Sequence, residues 1–339
     1  MADLELSFAI TPYDRIQPLI TGEVKPQGIR LEFVDMPVPD IFYRQLKFSQ
    51  FDISEMSFSF FLIGRSRGWA YRALPVFHNR QFVYTTMLVH ADAGIRTPKD
   101  LKGKRVGVFD YQQTGAVHLR GQLQHEFGVR PEDMEWYMER TEHGSIGGAL
   151  GEFKPPAGLN FHYATTDLAT MFLRRELDAG EAIRPHGGGA SLERPKEDIR
   201  DHPKLQLLFS NPREEAVRYF KKTGIFPVHH TTVVRESILE EHPWVASSLL
   251  EAFEKAKRLT LERSKRYPSI TSLFIFGRQE QNDQRLVFGD DPNPYGIKVN
   301  AEAIDMLQTF LVEQQLTPGK QPWDELFAAE VLLMEEKFA

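Results

Sequence analysis

The sequence predicts an α/β protein of two lobes joined by two extended crossings, and three observations lead there. Strand-like runs end in polar turns that open helices. Leu4–Ile10 runs into Thr11-Pro12-Tyr13-Asp14-Arg15, and Arg105–Phe109 runs into Asp110-Tyr111-Gln112-Gln113-Thr114-Gly115 with an amphipathic helix through about Gly128. The chain of 339 residues is too long for one small core, while 41% hydrophobic residues can fill two. Strand-like segments near 84–92 and 224–232 flank a series of α/β units. This divides the chain into a first lobe of 1–88 plus 228–339 and a second of 89–227.

In order, Leu4–Ile10, a helix through about Thr21 and the strand Ile29–Val34 form a βαβ unit. A helix near Asp40–Lys47 leads to a third strand, Phe51–Met56. Leu74–Phe77 and Phe82–His90 read as further strands, the second long enough to cross between lobes. The second lobe then holds Arg105–Gly128 and Gly158–Leu177 as strand–helix units, with Gly180–Arg200 a surface loop rich in Gly, Pro and charge. Thr223–Val234 is the return crossing, followed by helices over Pro243–Ser264 and Ala301–Gln315. A strand, a polar turn and a helix start together aim backbone N–H groups at the carboxyl edge of a sheet, a ready anion site.

A formal charge of −6 gives no reason to expect nucleic-acid or membrane partners, and no run approaches the roughly 18 apolar residues of a membrane span. The absence of cysteine excludes disulfides, thiolate metal sites and a cysteine nucleophile. Met1–Leu6 leads into the first strand with no basic and then apolar leader, so a cytoplasmic location is expected.

GIRTPKDLKGKRVGVF (94–109) is similar to the segment that opens the second lobe of type II periplasmic-binding-protein folds. Further blocks resemble one enzyme family, the 4,5-dihydroxyphthalate decarboxylases. They are Thr11–Arg15, Phe51–Ser57, Pro75–Phe82, Tyr111–Thr114 with Arg120-Gly121 and Trp136, Gly224–Pro227 with His230-Thr231, and Asp291–Gly296. Gly115, His118 and Asn293 stand where the family pattern leads one to expect alanine, tryptophan and tryptophan. The resemblance implies a type II periplasmic-binding-protein-like fold, a small aromatic carboxylate as substrate and a homo-oligomer.

Such a reaction replaces carbon dioxide on an electron-rich ring with a proton. It needs cations for the carboxylate that stays, a general acid for the ring carbon, a polar group on the para hydroxyl and a less polar seat for the leaving carboxylate. The substrate's hydroxyl supplies the electrons, so no cofactor is expected. His230 on the return crossing is the candidate general acid, since histidine exchanges protons near neutrality. Strand alternation would turn His229 to the opposite face. Arg15 and Arg80 are candidate carboxylate clamps. Thr114, as helix cap, offers its hydroxyl and the following N–H groups to an anion. Tyr13, Asp14, Tyr111, Glu55 and Ser57 are polar groups at strand ends able to address hydroxyls, and His78 stands before the crossing. Arg120 braces its helix, and Arg65 and Arg67 fall in a surface loop. No local metal-binding spacing is present, so no metal is assigned. Two other functions share these features, a solute receptor for an aromatic or pyrimidine-like anion and a same-fold enzyme acting on another aromatic acid.

Overall fold

Strand β1 (Leu4–Ala9) buries alternate side chains and pairs in parallel with β2 (Ile29–Val34) and β3 (Ile53–Ser57). Antiparallel β11 (Val228–Arg235) lies between β3 and β4 (Tyr71–Arg80), giving the order β2-β1-β3-β11-β4. The second sheet has the order β10-β5-β9-β6-β7-β8. Its strands are β5 (Leu88–His90), β6 (Arg105–Val108), β7 (Glu135–Met138), β8 (Asn160–Tyr163), β9 (Ala179–Gly180) and β10 (Leu205–Leu207). This is a computed structural model, and it describes residues 3–141, 144–151, 153–181, 199, 201–266 and 274–338. The expected loop Gly180–Arg200 therefore falls almost wholly outside the described residues.

Helices α1 (Gln17–Ile20), α2 (Val38–Phe48) and α3 (Phe58–Ser66) follow the first three strands. Helices α4 (Thr114–Phe127), α5 (Leu168–Leu173) and α6 (Pro212–Thr223) belong to the second sheet's stretch of chain. After β11 come α7 (Glu236–Glu241), α8 (Trp244–Arg266), α9 (Gly277–Phe288), α10 (Ala301–Glu313), α11 (Trp323–Leu326) and α12 (Ala329–Phe338). The starts and stops have local causes. Pro212 opens α6 while the Asn211 side chain accepts from Glu214 N–H at 3.1 Å, and α4 ends on Gly128 at φ +67°. α8 covers the first sheet with Val245, Leu249, Leu250 and Phe253, the last edge-on to Phe8. α10 lies against α4 at Gly121, where an added Cβ would stand 2.3 Å from the Phe310 ring, so only glycine permits this approach.

Two element expectations change. The strand expected over Phe82–His90 is a 3-10 turn, Val83–Thr86, followed by the short β5. Its apolar residues bury against helices: Tyr84 packs on Phe209 and Tyr219 and gives its hydroxyl to Glu215 at 2.6 Å. An apolar run alone does not distinguish that burial from a strand. Arg65 lies not in a loop but in the last turn of α3, bonded to Trp69 O at 2.6 Å and Glu236 at 3.3 Å. Among the described residues no helix is long and apolar enough to cross a membrane.

Candidate active site

In the β3–β11 pairing His230 stands opposite Ser57 and Thr232 opposite Glu55. Residues two apart share a face, so His230 reaches Glu55 along the diagonal. His230 Nδ1 lies 2.6 Å from Glu55 Oε1, and Tyr13 donates its hydroxyl to the same oxygen at 2.6 Å. Glu55 Oε2 accepts the Thr11 N–H at 3.0 Å. Burial alone would raise the Glu55 pKa; the bond and charge of His230, with His78 and Tyr13, outweigh it and bring it to about 2. An ionised carboxylate only accepts, so Nδ1–H donates and Nε2 is the nitrogen left for chemistry. Burial, then Glu55, holds the Tyr13 phenol well above its usual value, so it stays a donor. Phe42 meets the imidazole edge-on at 5.0 Å between centroids, fixing the ring from its other side.

His230 lines a cavity of about 480 Å³. Phe42, Phe60, Phe109 and Leu88 supply apolar wall, and Ser57, Thr114, Gly115, Arg140 and Glu181 supply polar wall. His229 lines the same cavity. Strand alternation fails here because the β11–β4 register shifts: from Val228–Arg80 to His230–Asn79, β11 uses two residues against one. The cap of α4 is Gln113, not Thr114, and Gln113 makes no side-chain cap bond. Thr114 instead spans to the first sheet's elements, with Oγ1 2.7 Å from Ser57 Oγ and accepting from Ser59 N–H at 2.9 Å. Arg140 follows β7, its guanidinium 3.8 Å from Asp110.

The remaining candidates separate from this cavity. Tyr13, Arg15, His78 and Arg80 line a second cavity of about 520 Å³ with Phe82, Phe226 and Phe288, and Asn79 lines both. Glu55 thus stands behind the two, holding His230 on one side and Tyr13 on the other. Arg80 is committed to Phe226 O at 3.0 Å, Pro294 O at 3.1 Å and Asn300 Oδ1. Its burial lowers its pKa to about 10. Arg15 donates to His78 O and to Asp14 Oδ1. Neither expected clamp therefore faces His230's cavity. His78 is buried, stacks on Tyr13 and bonds Thr232 at 2.5 Å; burial lowers its pKa to about 3 and keeps it neutral.

Asp14 is exposed and turned toward a third cavity, beside α8 and α9, because it opens a 3-10 turn and accepts its neighbour's N–H at 2.7 Å. Tyr111 lies in the core instead of the cleft. Its ring packs on Trp136, Phe153 and Phe161, and the Arg120 guanidinium sits 3.5 Å above it. Arg120 also bonds Gln314 at 2.8 Å, tying α4 to α10.

Arg140, Glu181 and a cleft-facing His229 were missed by sequence reasoning. Arg140 had a signal: it lies just past a parallel strand's carboxyl end, the position that drew attention to Asp110–Gly115. Glu181 had none, since β9 before it is two residues long. Among the described residues no group of three or more His, Asp or Glu side chains could hold a metal ion.

Two sheets linked by a strand that returns to the first, with a cavity against the start of α4, define a two-lobed α/β protein of the type II periplasmic-binding-protein class. Similar in fold is the aliphatic sulphonate binding protein SsuA from Escherichia coli, with TM-score 0.54, 14% identity and coverage of 98% of this chain and 100% of that one. A mutant of the desulfurization enzyme DSZB in complex with biphenyl-2-sulfinic acid aligns with TM-score 0.51, 16% identity and coverage of 99% of both chains. Residues 70–143 match the family model described as NMT1/THI5 like. The 4,5-dihydroxyphthalate decarboxylase of Comamonas testosteroni is 32% identical over 310 residues, covering 90% of each chain. That of Pseudomonas putida is 33% identical over 226 residues, covering 65% of this chain and 83% of its own. The chain belongs to the 4,5-dihydroxyphthalate decarboxylase family.

Proposed function

We propose that this protein is a carboxy-lyase that removes one carboxyl group from a dihydroxylated aromatic dicarboxylate, converting 4,5-dihydroxyphthalate to protocatechuate. The observation that carries the reading is the 2.6 Å contact between His230 and the buried, ionised Glu55 at the wall of an aromatic-lined cavity. Glu55 holds Nδ1–H and so presents Nε2 to the cavity. A proton on Nε2 passes to the ring carbon that bears the leaving carboxylate, a step for which general acids contribute roughly 10²–10⁴. Glu55 touches no substrate in this scheme; it positions the imidazole.

The carboxylate that stays lies toward Arg140, whose guanidinium favours an anion. The departing carboxylate lies against Phe42 and Phe60, where a poorly solvated anion gains by becoming neutral carbon dioxide. The C–C bond electrons return to the ring and His230 is left neutral, so atoms and charge balance. The chemistry asks for no cofactor, since the ring hydroxyl is the electron source. A homo-oligomer is part of the same proposal, by likeness to the family.

The test is incubation of the purified protein with 4,5-dihydroxyphthalate in deuterium oxide. Release of carbon dioxide with one deuterium at the vacated ring position is the expected result. Saturable binding without carbon dioxide release would identify a receptor instead.

A further inference from the structure

The cavity wall holds two buried acceptors that the scheme above does not use, Glu181 beside the second sheet and His229 on β11 of the first. Glu181 follows β9; its Oε2 accepts from Gln113 Nε2 at 2.7 Å and from Phe109 N–H at 3.4 Å. Its Oε1 is buried and without a hydrogen-bond partner among the described residues. His229 Nε2 is in the same condition, its ring stacked on His118 and otherwise bonded to the Gln81 backbone. In a neutral imidazole whose other nitrogen donates, Nε2 is an acceptor. Gly115 separates the two: a Cβ there would stand 3.7 Å from Glu181 Oε1 and 3.8 Å from His229 Cε1. All three residues line the cavity that holds His230.

We propose that Glu181 Oε1 and His229 Nε2, on either side of the space left open by Gly115, accept the two adjacent ring hydroxyls of the substrate and select a catechol-type ring. A buried acceptor without a donor costs about 1–3 kcal/mol, so a ligand bringing two O–H groups is favoured over its deoxy analogue. This rests on the decarboxylase reading and deepens it. As His230 protonates the ring carbon, the para hydroxyl's proton moves to Glu181 and the ring becomes a cyclohexadienone. Carbon dioxide leaves, the C–C electron pair restores the aromatic ring, and Glu181 returns the proton to oxygen. The net change is aryl carboxylate plus imidazolium to arene, carbon dioxide and imidazole. Burial pushes the Glu181 pKa up to about 7, against the bonds from Gln113 and Phe109 and the charges of Arg120 and Arg140, which suits a group that takes and returns one proton. Burial holds the facing His229 well below its usual value, hence neutral.

The test measures dissociation constants for 4,5-dihydroxyphthalate and for phthalate, which lacks both hydroxyls, on wild type, Glu181→Leu and Gly115→Ala. Wild type should prefer the dihydroxylated ring by about 30-fold. Each variant should bring that preference within about threefold while shifting phthalate affinity by less than threefold. Phthalate binding reports an intact fold, and Gly115→Ala decides the matter if Glu181→Leu fails to bind either ligand. Variants that keep the wild-type preference, or a wild type with no preference, overturn the subsite whatever the turnover. Preference lost as expected in a protein that releases no carbon dioxide would uphold the subsite and overturn the decarboxylase reading. A wild type that binds neither ligand overturns both.

Discussion

Glu181 lines the cavity that holds His230 and Glu55 stands behind that histidine on the opposite sheet; both are buried, yet their charge states are driven apart. Glu55 receives a phenol, an imidazole and a backbone N–H, and its pKa falls to about 2. Glu181 has one amide donor, a long backbone contact and one oxygen without a partner among the described residues, and its pKa rises to about 7. Burial acts on both in the same direction; the number of donors decides which carboxyl is an anion and which can hold a proton. Two acids in one site, separated in this way, can serve two different steps.

The largest effect that would break this contrast lies with His230. His230→Gln should lower turnover roughly 10²–10⁴-fold while substrate affinity stays within about threefold, as single-turnover and binding measurements would show. An undiminished rate would remove Glu55 from the chemistry too. Next is Arg140→Ala, expected to weaken substrate binding by about 2–3 kcal/mol by calorimetry, with Arg140→Lys restoring only part because lysine lacks the bidentate fork. The equivalent change at Arg15, which faces the other cavity, should leave affinity within about threefold.

Stability against pH sharpens the comparison, because the two glutamates carry opposite signs. Glu55 has a depressed folded pKa, so its contribution is full above the ordinary glutamate value of 4.5 and is lost as pH falls toward about 2. Glu181 has a raised one, so folding loses stability as pH rises from 4.5 through about 7. Urea unfolding at pH 8 should show Glu181→Gln more stable than wild type by about 1–3 kcal/mol, and the difference should vanish at pH 4. Equal stability at both pH values would mean that Glu181 is not held protonated. The smallest effect is at Tyr13: Tyr13→Phe removes one of three donors to Glu55 and should lower turnover about three- to tenfold, with the pH–rate profile displaced. An unmoved profile would show that His230 and Thr11 alone keep Glu55 ionised.

The order of strands, turns and helices was legible because hydrophobic periodicity and polar turns are local properties. The same rule pointed to Ser57, Thr114 and His230, which line one cavity, and to Glu55 behind them, since each sits on a strand or at a helix start. Which way a side chain turns was not legible. Tyr111 looked like a polar cleft residue, but its ring meets Trp136 and Arg120, partners distant in sequence. Arg80 looked like a free guanidinium, and three acceptors from loops after residue 225 claim it. His229 was assigned to the far face by alternation, and a register shift set by β4 returns it to the cleft.

The hydroxyl contacts among Ser57, Ser59 and Thr114 fasten one half of the molecule to the other beside the cavity. Neutral hydroxyls part into water at little net loss, each bond being worth about 1 kcal/mol. A seam of leucine and phenylalanine at the same place would leave an oily face exposed whenever it opened. A fastening of small alcohols keeps the rim beside the guest wettable, while the oily hold between the halves lies behind it, where Phe310 meets Gly121.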